Sequence, residues 1–267
     1  MKEHALALVR GVGDTGQALN RLREYLQCLV LRSLHESEAF ATMAFVGGTA
    51  LRILHDLPRF SEDLDFSMLA PGSSAGRQWM ARIRRDLSLA GFEVDVTWNE
   101  RSAVQVGWVR VAGLLRETGL PAMNTQKLSV KVKIDANPPA GASTEKRVVT
   151  RHVTFLLQHF DLPSLLAGKI AAVLTRKYTK GRDWYDLLWY LSHRPPVVPN
   201  LALLGNSLAQ ALGPGGFDAG NWKGMVRERL SRLDVGAVVR DVLPFLERQI
   251  DAQLLTRDNL AGLLEGP

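Results

Sequence analysis

The residues best equipped for chemistry in this sequence are Asp63 and Asp65, in the segment Asp63-Leu64-Asp65-Phe66. On a strand, the period of two puts both carboxylates on one face and turns Leu64 and Phe66 to the core on the other. Neighbouring carboxylates repel. A hard dication such as Mg²⁺, which takes oxygen ligands and bridges to substrate phosphates, relieves that repulsion. Just upstream, the apolar residues Met43 to Val46 run into Gly47-Gly48, and Thr49 to Leu54 propagate a helix from that turn. The glycines let the backbone turn tightly and approach a ligand, the start of the helix favours an anion, and the Thr49 hydroxyl adds a donor for phosphate. Each half also has a plain reading, with Gly-Gly a turn and Asp-x-Asp a solvated strand face.

Two further stretches carry candidate groups. Val130, Val132 and Ile134 alternate with Ser129, Lys131, Lys133 and Asp135, so a strand over 127–136 carries one carboxylate among lysines. A helix starting at Pro163 sets Lys169 among Leu165, Leu166, Ala167, Ile170 and Ala171. An isolated ammonium in that setting is costly unless paired, which suggests a triphosphate partner. Lys169 and Arg176 are seven apart, two turns along one side, and so can jointly face an anion. In Arg182-Asp183-Trp184-Tyr185-Asp186, the two aspartates lie three apart on nearly one helix face. The plain alternative there is that Asp183 caps the helix and Asp186 pairs with Arg182.

Other elements must position these groups. An amphipathic helix lies within residues 14–42. A turn at Pro71-Gly72-Ser73-Ser74 leads into a helix carrying Trp79, Ile83 and Leu87, which Gly91 stops. Alternating runs over 92–98 and 104–111 read as two antiparallel strands, and 137–147 as a loop. Past Pro195 the pattern gives a breaker at Gly213-Pro214-Gly215-Gly216 and helices near 200–212, 222–232, 236–250 and 256–264. The fold class is α/β (α+β): a mixed, mainly antiparallel sheet with flanking helices over residues 1–160, and a helical part over 161–267 that closes a nucleotide cleft.

With 267 residues, 46% of them hydrophobic and 22% charged, the chain is an ordinary globular one, neither fibrous nor low-complexity. A net charge of +6 tilts toward an anionic partner such as nucleic acid. The single Cys28 makes no internal disulfide and suits a reducing cytosol. No run reaches the roughly 18 apolar residues of a membrane helix. A cytoplasmic monomer with no membrane partner is the expectation.

The order strand, Gly-Gly, helix and Asp-x-Asp strand resembles the nucleotidyltransferase superfamily related to DNA polymerase β. Arg52 and the run Arg59-Phe60-Ser61-Glu62-Asp63 narrow the resemblance to the AbiEii/AbiGii branch, toxins of bacterial toxin–antitoxin and abortive-infection systems. Lys169 and the Arg182-Asp183-x-x-Asp186 segment match that branch's later motifs. The resemblance implies NMP transfer from an NTP to an RNA acceptor, the tRNA 3′ end, with Mg²⁺ or Mn²⁺, and a cognate antitoxin. It implies a third metal carboxylate at Asp135, which would also act as base. It implies nucleotide binding by Gly47, Gly48, Thr49, Arg52, Ser61, Lys169, Arg182, Asp183 and Asp186, with Asp63, Asp65, Lys169 and Asp183 also catalytic. The alternatives are transfer to a small molecule or a protein, or a catalytically silent NTP- or RNA-binding module.

Overall fold

A computed structural model describes residues 1–72, 74–120, 126–213, 215 and 218–266. The helices are α1 (Lys2–Ala7), α2 (Thr15–Glu36), α3 (Gly47–His55), α4 (Gly76–Leu89), α5 (Leu114–Glu117), α6 (Leu162–Thr175), α7 (Gly181–Leu191), α8 (Leu201–Leu212), α9 (Trp222–Ser231), α10 (Val235–Val242) and α11 (Arg257–Glu265). The strands are β1 (Met43–Val46), β2 (Asp63–Met68), β3 (Glu93–Asn99), β4 (Val104–Ala112), β5 (Leu128–Asp135), β6 (Thr144–Val149) and β7 (Phe155–Phe160). They form one sheet in the order β3-β4-β5-β2-β1-β7-β6. The pairs β3/β4, β4/β5 and β1/β2 are antiparallel, while β2/β5 and β1/β7 are parallel, so the sheet is mixed.

The chain divides into two compact units. The first comprises Met1–Asp56, Phe60–Pro138 and Glu145–His159, and the second Leu57–Arg59, Pro139–Thr144 and Phe160–Pro267. The helical unit thus also takes in two short pieces from earlier in the chain. One of them is held by backbone pairing, with Arg59 bridged to Leu246 and the Glu247 N–H donating to the Pro58 carbonyl.

In the sheet unit, odd positions of β4 and even positions of β2 and β5 are buried and, apart from Gln105, apolar, among them Val109, Val111, Leu64, Phe66, Val130, Val132 and Ile134. Each such side chain contributes about 1.5–3 kcal/mol by leaving water. The alternation that builds this core also sends Asp63, Asp65, Lys131 and Lys133 to the other face. α2 starts as a capped helix, the Asp14 carboxylate accepting from the Gln17 N–H, and supplies Leu22, Leu26, Leu29 and Val30 to the interior. In the helical unit, Asp161 caps α6 through the Ser164 N–H, with Pro163 in the first turn.

Three sequence expectations change. Residues 144–147, expected as the end of a loop, instead open the strand β6, because Thr144-Glu145-Lys146-Arg147 is a polar, exposed edge without alternation. β7 has no counterpart in the pattern reading. The expected helix over 236–250 ends at Val242, where Pro244 opens a 3₁₀ turn. Ser73 of the expected turn, and Pro214 and Gly216 of the breaker, lie outside the described residues. Among those described, no helix is long and apolar enough to cross a membrane.

Candidate active site

In the sheet unit, parallel pairing of β2 with β5 sets Asp63 level with Lys131, Asp65 with Lys133 and Ser67 with Asp135. β4 extends these rows, Trp108 standing level with Lys131 and Val106 with Lys133. On the other flank, β1 places Val46 beside Asp65, and Gly47 opens α3 immediately after it. Gly47 has φ +81°, and a Cβ there would lie 2.9 Å from Asp65 Oδ2. Both the backbone conformation and the close approach to the carboxylate therefore demand glycine. No side chain caps the start of α3.

Asp63 and Asp65 share the open face with side chains 29% and 35% exposed. The Lys133 ammonium bridges them, paired with Asp63 Oδ2 and 3.4 Å from Asp65 Oδ1. Burial alone would lower the Lys133 pKa, but Asp65 and then Asp63 outweigh it and hold the ammonium above the usual lysine range. A cation already sits where two carboxylates would otherwise repel.

Several expected binding residues are turned to other uses. Thr49 is fully buried and its hydroxyl donates to the Asp63 carbonyl, so it ties α3 to β2 and does not offer a phosphate donor. Gly48 is buried in the first turn of α3. Arg52 points inward, its Nε 2.6 Å from Glu24 Oε2 and its guanidinium 4.5 Å from the Phe60 ring centroid. Glu24 also meets Arg151 at 3.0 Å and His152 at 3.4 Å. Burial opposes its ionisation, but the His152 hydrogen bond and the two arginines hold its pKa down at about 2. Ser61 precedes β2, which begins at Asp63, so it is not on the carboxylate strand; its carbonyl accepts from Gln27 Nε2 at 3.0 Å.

Asp135 is not gathered with the pair. It stands level with Ser67, one pleat beyond Asp65, and its Oδ1 accepts the Asn137 N–H at 3.0 Å. Among the described residues no three His, Cys, Asp or Glu side chains form a metal-binding group. The three expected carboxylates are therefore not gathered here, since the parallel register gives the place beside Asp65 to Lys133.

The helical unit holds a second charged cluster. Lys169 Nζ lies 3.0 Å from Asp183 Oδ1 and 2.7 Å from Asp186 Oδ2. Arg59 clamps Asp186 from the other side, Nε to Oδ1 at 2.5 Å and Nη2 to Oδ2 at 2.7 Å, with both side chains at most 2% exposed. Arg176 Nε is 3.0 Å from Asp183 Oδ2. The anion that Lys169 and Arg176 jointly face is therefore Asp183. Asp183 does not cap α7, whose N-cap Lys180 makes no side-chain cap bond. Arg182 is not paired with Asp186: its guanidinium lies 4.2 Å from the Phe245 ring centroid and its backbone N–H donates to Asp241 at 3.3 Å. Burial would lower the Lys169 pKa, but Asp186 and Asp183 hold it raised; burial would raise that of Asp183, but Lys169 and Arg176 hold it lowered.

Sequence reasoning missed Lys133 and Arg59 as members of these clusters. Lys133 was visible as an alternate polar position on the strand, but which strand it would neighbour is not written locally. Arg59 sits far from Asp186 in sequence, and nothing in the local pattern links the two.

The same architecture recurs in solved proteins. A "putative nucleotidyltransferase from H. pylori" superposes with a TM-score of 0.58 at 20% identity, covering 93% of each chain. JHP933 from Helicobacter pylori gives 0.52 at 20% identity, covering 93% of this chain and 88% of its own. No curated protein matches the sequence. The fold is thus a nucleotidyltransferase fold. The profile described as "Nucleotidyl transferase AbiEii toxin, Type IV TA system" matches residues 29–247, and the chain belongs to that family of toxin nucleotidyltransferases. A family of toxin–antitoxin systems implies an antitoxin partner.

Proposed function

We propose that this protein moves an NMP from an NTP to an RNA acceptor, the 3′ end of tRNA, as the growth-inhibiting toxin of its pair, in the cytoplasm and under the control of a cognate antitoxin. The observation that carries this reading is the Asp63/Asp65 pair on the open sheet face, with a cation between the carboxylates and the Gly47 backbone against one of them. Mg²⁺ is commonly held by one or two carboxylates plus substrate phosphates, and the acceptance of the Lys133 ammonium by both aspartates fits such a group. Asp63 and Asp65 would hold Mg²⁺ or Mn²⁺, which supplies Lewis acidity and orientation when bound.

The uncapped N–H groups at the start of α3, from Gly47 onward, would take triphosphate oxygens. The acceptor hydroxyl attacks the α-phosphorus, the new P–O bond forms, and pyrophosphate leaves in line. Asp63, which lines the cavity beside Lys131, would receive the hydroxyl proton. Lys133, held protonated, would neutralise charge on the reacting phosphate once a bound dication takes its place between the two carboxylates.

In the helical unit, Lys169 is already committed to two carboxylates, so a direct role toward phosphate requires it to exchange one of them. Arg59, Asp183, Asp186 and Arg182 would serve by fixing that ammonium and its helix. The test is incubation of the protein with Mg²⁺ or Mn²⁺, each labelled NTP and total tRNA. Label on tRNA, lost in Asp65→Asn, is expected. Label on protein or a small molecule would move the reaction to another acceptor, and none anywhere would leave a binding module.

A further inference from the structure

Beside Asp63 lies a cavity of about 300 Å³ that the carboxylate chemistry does not use, lined by Arg23, Trp108, Lys127, Ser129 and Lys131 among others. Its size falls at the lower end of ligand pockets, about 300–1,000 Å³. Trp108 is half-buried on the open face of β4, with the Lys131 ammonium 5.1 Å and the Arg110 guanidinium 5.5 Å from its ring centroid. Glu62 stands 3.8 Å from Arg23, and Asp63 is bound by Lys133. Among the described residues, neither Lys127 nor Lys131 has a carboxylate partner. An aromatic face flanked by cations suits a chain of bases and phosphates, because every base has a π-face to stack and every linkage a negative charge.

Position argues for which chain. The glycine turn and the start of α3 adjoin Asp65 from the β1 side, whereas this cavity adjoins Asp63 from the β5 and β4 side. In-line displacement needs the incoming hydroxyl on the side opposite the leaving pyrophosphate. We infer that the Trp108–Lys131 face receives the single-stranded 3′ end of the nucleic-acid acceptor, with a base on Trp108 and backbone phosphates on Lys127, Lys131 and Arg23. The direction of approach rests on the nucleotidyl-transfer reading; the binding platform itself does not.

The experiment measures binding apart from transfer. Fluorescence anisotropy of a 5′-fluorescein single-stranded RNA oligonucleotide with a free 3′ hydroxyl reports the platform, and mant-labelled NTPs report the nucleotide site, both on the full chain. Trp108→Ala should weaken RNA binding about 5- to 150-fold, the range of one lost base stack, while Trp108→Phe retains most of it. Lys127→Ala with Lys131→Ala should lower the slope of log affinity against log salt by roughly 0.7 per lysine. NTP affinity should stay within twofold in all of them. Unchanged RNA affinity in Trp108→Ala would overturn the inference and leave the face to a protein partner; a parallel fall in NTP affinity would overturn it by assigning the cavity to the nucleotide. Wild-type protein that labels tRNA alongside variants that bind RNA normally would sink the platform and spare the transfer reading. Trp108-dependent binding with no labelled RNA would do the reverse.

Discussion

The cluster in the helical unit makes a quantitative prediction about which of its members holds the fold and which is free for function. It contains three cations, Arg59, Lys169 and Arg176, against two carboxylates, Asp183 and Asp186. Counting 3 − 2, it carries one surplus positive charge. The neighbouring Lys180, whose pKa is lowered first by burial and then by Arg182, feels the same excess. Replacing Lys169 with Met leaves each carboxylate one arginine, a balanced pair of ion pairs around an apolar side chain of similar length. Replacing Asp186 with Asn leaves three cations facing one carboxylate, two of them having lost their deeply buried partner. Breaking a buried pair from one side costs about 3–5 kcal/mol, whereas removing the surplus cation should cost less than about 1.5 kcal/mol.

Urea unfolding followed by tryptophan fluorescence checks this, since Trp184, Trp189 and Trp222 all lie in the helical unit. With total stabilities of about 5–15 kcal/mol, the Asp186→Asn loss should be plain in the midpoint. Equal losses in the two variants, or an Asp186→Asn variant within about 1 kcal/mol of wild type, would refute the charge count. The raised Lys169 pKa contributes stability below the unfolded lysine value and loses it as pH climbs through the folded one. The lowered Asp183 pKa contributes above the unfolded aspartate value and loses it as pH drops. The cluster should therefore hold between about pH 4 and 10. A Lys169→Met protein that folds well but no longer transfers nucleotide would show that the lysine acts beyond stability.

Asp63→Ala and Asp65→Ala should each abolish nucleotide transfer while leaving the thermal midpoint near wild type, as the mutually repelling carboxylates are partly exposed on the open face; retained labelling by both would end the site assignment. Gly47→Ala puts a Cβ 2.9 Å from Asp65 Oδ2 at a positive φ, and should cost about 1–3 kcal/mol together with most of the activity; a variant matching wild type in urea unfolding and in labelling would contradict the geometry. Glu24, held at about 2 against an unfolded value near 4.5, contributes roughly 3 kcal/mol above the unfolded pKa that is lost as pH falls from about 4.5 to 2. Glu24→Gln should flatten that stretch of a midpoint-against-pH curve, and an unchanged acid limb would mean the network is not what fails.

Local pattern alone carried a good deal of this protein. The alternation in β2, β4 and β5 gave their faces, because a strand's period of two ties each polar residue to the side opposite its apolar neighbours, and that sufficed to put Asp63 and Asp65 together. The helices expected within 14–42, from Pro163 and near 200–212 were legible for an equally local reason, their apolar spacing, and each is capped in the structure by an acceptor bonding an N–H three residues on: Asp14, Asp161 and Asn200. What lay beyond reach depends on which strand neighbours which. Whether Asp135 or Lys133 stands beside Asp65 is a matter of parallel register between β2 and β5, elements joined through two helices and two intervening strands, and a slip of two residues leaves every face unchanged. Arg59 meets Asp186, and Glu24 meets Arg52 and Arg151, only once distant segments pack. A lone charge among apolar residues announces that it needs a partner, because burial without one is costly, but its own stretch of chain does not say who the partner is; tertiary structure decides that.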